Sequence, residues 1–331
     1  HFITSRMAQR AITRFLRSRQ PCVREPGTTP MPEMRSHVCF AGLLLLGAAV
    51  YFFPIGALAK LVFENETYSH MPLIPLVSLF LLVVQRKSIF AEAARKPAAG
   101  VGVCAAGLVL YGLATVLRGH LSSQAFRNQD VPNDYLTLCM AGAVAWVIGS
   151  FIAVYGMHAF KKARFALLFL VFTIPIPVFL LNGVVTALQH ASAEAADIVF
   201  RLTGAPYHRS GLIFEFPNVS VLVAEQCSGI RSSLALFILS IITGYLFLRT
   251  CSRRVILALA IFPITVVKNA FRIVTITLLA NYVDMRFLTD HWIHSSGGIP
   301  FFAVAMGMFI PLVWALRRTE KPGTEPAGKS E

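Results

Sequence analysis

The sequence predicts an all-α polytopic membrane protein of about eight transmembrane helices, with a small extracytoplasmic hairpin inserted before its most reactive cysteine. Three observations carry that reading. Of 331 residues, 56% are hydrophobic and only 14% are charged, a balance too apolar for a water-soluble domain of this length. Several apolar runs approach the ~20 residues that cross the hydrocarbon core of a bilayer. The basic residues also divide unequally between alternate loops, as topology-setting charges do. A formal charge of +14 would point to nucleic acid in a soluble chain. Here those charges sit in short loops between apolar runs, so the bilayer accounts for them and no nucleic-acid partner is expected.

Spans are placed at 38–58, 70–85, 99–117, 135–156, 165–185, 230–248, 255–282 and 297–316. Pro72 and Pro75 suit the first turn of the second span, where a missing N–H costs nothing. Ile174-Pro175-Ile176-Pro177 should kink or break the fifth near the far surface, and Pro263 should bend the seventh. One membrane domain, 38–316, is therefore flanked by a basic tail, 1–37, and a short C-terminal tail, 317–331. The first apolar run follows a long basic tail and lacks a small-residue cleavage site, so it is read as a retained anchor.

Charge then sets the orientation. With the N-terminus inside, 21 of the 30 Lys and Arg residues fall in cytoplasmic segments and seven in outer ones. Lys268 and Arg272 remain, both within a span. Both termini are thus expected in the cytoplasm, as in a multi-pass protein of the cell's inner membrane. That orientation brings Cys227, Arg272 and His294 to one depth on the extracytoplasmic side. Arg272 lies 17 residues past the start of its span at 255, about 26 Å at ~1.5 Å per residue.

The outer segment 186–229 has structure of its own. From Val184 to Leu202 apolar residues recur at helical spacing opposite Gln189, His190, Glu194 and Asp197, the pattern of an amphipathic helix lying on a membrane surface. From Leu212 to Val223 the sequence alternates and is rich in β-branched residues, with a turn at Pro217-Asn218. That is a hairpin leading directly into the cysteine segment.

The chemistry concentrates in three places. None of the six cysteines forms a CxxC pair, and Cys39, Cys104 and Cys139 lie in apolar spans as packing residues. No spacing fits a metal site, so neither metal nor cofactor is expected. Cys227 differs from the other five. In Glu225-Gln226-Cys227-Ser228-Gly229-Ile230-Arg231 it precedes a helix start, where the dipole and the Arg231 charge favour the thiolate. Arg272, in Lys268-Asn269-Ala270-Phe271-Arg272-Ile273, is an ionised group inside a span. Lys268 shares its helix face, and the pair calls for an anion opposite: a thiolate, Glu225 or a developing oxyanion. His294 precedes Gly297-Gly298 and is placed to move protons; His291, one turn away, competes for that role. Tyr68-Ser69-His70 lies at the mouth of the second span, either to bind substrate or as part of the interfacial belt.

Together these segments resemble the exosortase/archaeosortase family of multi-pass membrane transpeptidases, over roughly 38–316 and in the family's order. The resemblance implies a catalytic Cys227, Arg272 and His294; the polar residues around them, Glu225, Arg231, Lys268 and Asn269, with Tyr68 and His70, are expected to bind substrate or support the three. A histidine at the third position is similar to the bacterial exosortases. It further implies a thiol protease or transpeptidase acting through a thioester. Its partners would be exported, membrane-anchored proteins that end in a sorting signal: a short motif such as Pro-Glu-Pro, a helix and a basic cluster. The acyl acceptor is left open. The alternative is a non-enzymatic transporter or surface-polysaccharide assembly factor. A transporter would carry polar residues at mid-membrane and internal repeats, whereas this chain's midplane is nearly all apolar.

Overall fold

The computed structural model describes residues 34–91, 97–118, 133–224, 229–289 and 298–320. The chain divides into two compact units, one ending at Leu181 and the other beginning at Asn182.

The first unit contains α1 (Met34–Val50), α2 (Phe52–Glu64), a 3-10 turn (Glu66–Tyr68), α3 (Leu73–Phe90), α4 (Pro97–Val116), α5 (Asn133–Phe169), a second 3-10 turn (Leu170–Thr173) and the start of α6 (Val178–Thr203). Helix α5 is its spine. Small residues let α4 lie close against it: a Cβ on either Gly107 or Gly142 would stand 2.6 Å from the other's carbonyl oxygen. The Trp146 indole donates to the Leu43 carbonyl at 2.9 Å, which fixes α1 against α5. Ser78 of α3 donates to the Ala166 carbonyl at 2.7 Å.

At Gly156, α5 is interrupted by φ 86°, ψ 168°, a region open essentially only to glycine. The span expected at 135–156 and the first part of the one expected at 165–185 are therefore two legs of one interrupted helix, while the remainder of the latter, from Val178, belongs to α6. The second leg stops at Thr173, because the residue before a proline is pushed out of the helical region. Ile174 is extended, at φ −84° and ψ 122°. The chain resumes as α6 at Val178, whose N–H is capped by Asp134 Oδ1 at 2.8 Å. The amphipathic helix thus begins six residues before the expected Val184.

The all-α polytopic class is borne out. Among the described residues six helices are long and apolar enough to cross a membrane, or seven if α1 and α2 together form one span. The expected count of eight is approximate, because the chain breaks where the sequence reading ran it straight and continues where that reading cut it. The first span, expected to run unbroken over 38–58, bends by 74° between α1 and α2. Pro54, in the first turn of α2, has no N–H to continue the helical ladder through the bend.

The second unit contains the rest of α6, three short strands, β1 (His208–Ser210), β2 (Ile213–Glu215) and β3 (Ser220–Leu222), then α7 (Ile230–Phe247), α8 (Cys251–Tyr282), α9 (Arg286–Thr289) and α10 (Gly298–Arg318). The strands form one antiparallel sheet in sequence order. The expected hairpin is β2–β3, closed by Phe216 N–H donating to the Val219 carbonyl at 2.8 Å. Strand β1 extends it, with Arg209 opposite Phe214.

Ala193, Ala196 and Phe200 of α6 pack with Phe214, Phe216, Val219 and Val223 and with Ala270, Ile273 and Val274 of α8. Each fully buried phenylalanine here is worth about 2–3 kcal/mol. Arg209 holds the rim, with Nη1 3.0 Å from Glu194 Oε2. The Tyr207 hydroxyl donates to Asp197 Oδ1 at 2.9 Å. The hydrogen bond from Arg209 keeps the exposed Glu194 carboxyl below the ordinary carboxylate range.

Helices α7, α8 and α10 pack together through Leu236, Leu257, Ile261, Ile264, Ala305 and Phe309. At one end Arg253 Nη1 donates to the Leu316 carbonyl at 2.9 Å. Glu320 Oε1 accepts the N–H groups of Arg249 and Thr250, each at 2.8 Å, so a carboxylate closes the positive N-terminus of α8. Burial works to raise the Glu320 pKa, but these donors and the Arg253 charge outweigh it and hold the group low.

Candidate active site

Helix α7 starts where it does because Gly229 takes a left-handed conformation, φ 75° and ψ 15°, which glycine adopts without strain. Its carbonyl accepts three bonds from the first turn: from Ser233 N–H at 3.0 Å, Ser232 Oγ at 3.0 Å and Ser233 Oγ at 2.7 Å. Space demands glycine as well. A Cβ here would lie 3.1 Å from Lys268 Nζ and 3.3 Å from Asn269 Oδ1. The helix expected to begin after Ser228-Gly229 is therefore present, and its head rests on α8.

At this level α8 has two faces. Ala270, Ile273 and Val274 turn into the core shared with the sheet and α6. Lys268 and Asn269 turn toward Gly229 and are buried, at 3% and 0% exposure. The Lys268 ammonium donates to Ser232 Oγ. Arg272 is half-buried one turn further on, on the Lys268 side of the helix. Lys268 thus meets the head of α7, and Arg272 follows one turn along the same face of α8.

Both ends of the stretch 225–228 are anchored. Upstream, Val223 N–H donates to the Leu212 carbonyl at 2.9 Å, and Gln189 Nε2 donates to the Val223 carbonyl. Downstream is Gly229. The hairpin turn is tied to the last turn of α8: Asn281 Oδ1 accepts Asn218 N–H at 3.2 Å, and the Asn281 carbonyl accepts Asn218 Nδ2 at 3.1 Å.

The antiparallel register of α8 and α10 adds a further relation. Arg253 is bonded to Leu316. Arg272 is 19 residues along α8 from Arg253, and Gly298 is 18 residues back along α10 from Leu316. At ~1.5 Å per residue both stand about 28 Å from that bond. Gly298, four residues after His294 in sequence, is thus level with Arg272.

Of the residues singled out by sequence, Cys227, Glu225, His294 and its competitor His291 lie outside the described residues. Arg272, Lys268 and Asn269 meet on α8. Arg231 is the second residue of α7, with its side chain exposed. Tyr68 is fully buried in the first unit among Leu61, Met71, Tyr135 and Leu136, a packing position. His70 is half-buried beside it; burial lowers its pKa, and a hydrogen bond with the Thr67 backbone opposes that only in part. Among the described residues no group of three or more His, Cys, Asp or Glu side chains is placed to hold a metal ion.

Sequence reasoning missed the roles of Ser232, Ser233 and Asn281, and read Asn218 only as a turn residue. The available signals were two hydroxyls in the first turn of an apolar helix and an asparagine at the end of another. Residues 59–311 match the family model described as Transmembrane exosortase (Exosortase_EpsH), well over half of the chain. No curated protein and no solved structure matches.

Proposed function

Because the chain belongs to the transmembrane exosortase family, we propose that it is a membrane cysteine transpeptidase or protease that cleaves the C-terminal sorting signals of exported proteins. Cys227 is the nucleophile. Its thiolate attacks the scissile carbonyl, the C–N bond breaks, and a thioester to Cys227 forms. Arg272 stabilises the thiolate and then the tetrahedral oxyanion. His294 gives a proton to the departing amine and takes one from the acceptor that resolves the thioester. The substrate's own helix delivers the scissile bond to the depth of the site, so proximity replaces an extensive binding surface.

The observation that carries this reading is the seating of Gly229 against Lys268 and Asn269. Cys227 is two residues before Gly229, and two Cα–Cα steps of about 3.8 Å keep it within about 7.6 Å of that glycine. The residues proposed for charge stabilisation therefore belong to the helix on which the nucleophile segment ends. The level shared by Arg272 and Gly298 supports the placement of His294 nearby.

The unequal distribution of Lys and Arg supports both termini in the cytoplasm of an inner-membrane protein, with the site on the outer face. The membrane domain on this reading is 38–316. The test is co-expression with an exported protein ending in Pro-Glu-Pro, a hydrophobic helix and a basic cluster. Wild-type protein should shorten it, and Cys227→Ala, inserted at equal level, should leave it full length. Shortening by Cys227→Ala would remove the proposal.

A further inference from the structure

Lys268 is the most deeply buried cation among the described residues, at 3% exposure, and a buried ammonium needs a partner to offset its lost hydration. No described carboxylate supplies one. In this unit Glu194 and Asp197 are engaged by Arg209 and Arg201. Asp284 accepts from Arg286 N–H, Glu320 caps α8, and Glu215 is exposed on β2. What Lys268 meets is Ser232 Oγ, and Ser232 in turn donates to the Gly229 carbonyl at 3.0 Å.

This chain of contacts has a direction. The ammonium polarises the Ser232 hydroxyl, which strengthens the bond that the hydroxyl makes to Gly229. That carbonyl belongs to the one residue at the head of α7 with left-handed geometry. Asn269 Oδ1 closes the remaining space above Gly229. A hydrophobic residue at 268 would fill the volume but leave Ser232 without this donor and the helix head without a fixed charge.

We propose that Lys268 is a positioning residue, which locks the Gly229 turn through Ser232 and fixes a positive charge at the head of α7. The inference rests on the assignment of Cys227, two residues upstream, as the nucleophile. Its consequence is electrostatic as well as geometric. The charge favours the thiolate of a neighbouring cysteine and adds to the helix dipole. Arg272 on α8 and Arg231 on α7 act in the same sense. Glu225, Asp290, His291 and His294 are the titratable groups of the two segments that flank α7 and α10 in sequence, and their pH dependence is common to every variant compared.

The experiment is the pH dependence of Cys227 alkylation by iodoacetamide, on full-length protein in membranes with the other five cysteines replaced. Sorting-signal processing is measured in parallel. Lys268→Met should raise the pH midpoint of alkylation by about one unit, roughly a tenfold loss of thiolate at neutral pH, and slow processing at least as much. Lys268→Arg should keep the midpoint within a few tenths of a unit yet process slowly, because a planar guanidinium does not reproduce the point contact with Ser232. Ser232→Ala, which removes the relay and keeps the charge, should leave the midpoint low and lower kcat.

A folded Lys268→Met protein with the wild-type midpoint and rate would overturn the inference. If Lys268→Met does not accumulate, wild-type kcat in Ser232→Ala would overturn it instead. Neither result touches the nucleophile assignment, which fails only if Cys227→Ala continues to process.

Discussion

Asn281, in the last turn of α8, holds the hairpin turn at Asn218 by two hydrogen bonds, accepting Asn218 N–H on Oδ1 at 3.2 Å and Asn218 Nδ2 on its carbonyl at 3.1 Å. The sheet is thereby fixed to the helix that carries Arg272. Asn281 is 7% exposed, and leaving the Asn218 N–H without its acceptor should cost about 1–2 kcal/mol. Asn281→Leu is expected to lower the thermal midpoint of the purified protein and slow processing. Asn218→Ala, which keeps the backbone bond, should do less. Calorimetry and a processing assay on both variants check this order.

Gly229 is required by conformation and by space, and the two demands can be separated. Gly229→Ala forces a left-handed alanine, a cost of roughly 1–2 kcal/mol, and brings its Cβ to 3.1 Å from Lys268 Nζ. Gly204 is also left-handed, at φ 69°, but a Cβ there meets nothing within 4 Å. Gly204→Ala should therefore lose stability with near-normal processing, while Gly229→Ala should lose processing at least about tenfold, the effect of a 1.4 kcal/mol change in barrier. Parallel melting and rate measurements decide it.

The Glu194–Arg209 pair gives a pH signature to the α6–sheet core. Arg209 lowers the folded-state pKa of Glu194 below its unfolded value. The stabilisation is therefore complete above the ordinary glutamate value of about 4.3 and disappears as pH falls through the lower, folded value. Because Glu194 is exposed, the effect is small and screened by salt. The melting temperature should be flat from neutral pH down to the carboxylate range and then fall. In Arg209→Gln that acid-side loss should be smaller, as measured by melting at several pH values in low salt.

Much of this architecture was legible from hydropathy and charge. The head of α7 was visible because Gly229 stands between polar residues and an apolar run. The hairpin was visible because β-branched residues alternate around Pro217-Asn218. The bend between α1 and α2 was not, since Val50-Tyr51-Phe52 is as apolar as its surroundings and Pro54 was passed over inside an otherwise continuous apolar run. The span boundary at 156 coincides with the interruption at Gly156, but the immediate resumption of the helix through Lys161, Lys162 and Arg164 was hidden, because that basic stretch reads as a loop. In the site, Lys268, Asn269 and Arg272 stood out as polar residues in a span. Their seating on Gly229 is a tertiary contact between residues about 40 positions apart, and no local pattern encodes it.

Arg272 is assigned to charge stabilisation. Arg272→Lys keeps the charge but loses the planar, bidentate fork. Processing is expected to fall by about 10²–10³, the usual loss for one oxyanion donor, with protein level little changed because lysine can still snorkel to the interface. A near-normal rate for Arg272→Lys would reduce Arg272 to a point charge, and a near-normal rate for Arg272→Ala would make it structural.

Orientation is testable independently of activity. Single cysteines placed in 88–91 and at 249 or 250, on a background without the native six, should resist an impermeant maleimide added to intact cells. A cysteine at 206, between α6 and β1, should react. Labelling of the 88–91 segment from outside would invert the topology drawn from the basic residues.

The central claim is a thioester on Cys227, and capture of that acyl group tests it most directly. Wild-type protein incubated with a sorting-signal substrate and neutral hydroxylamine should release the upstream fragment as a hydroxamate, identified by mass spectrometry. Cys227→Ala should give none. Equal hydroxamate from Cys227→Ala would contradict the account, as would cleavage by the wild-type protein with no hydroxamate at any hydroxylamine concentration.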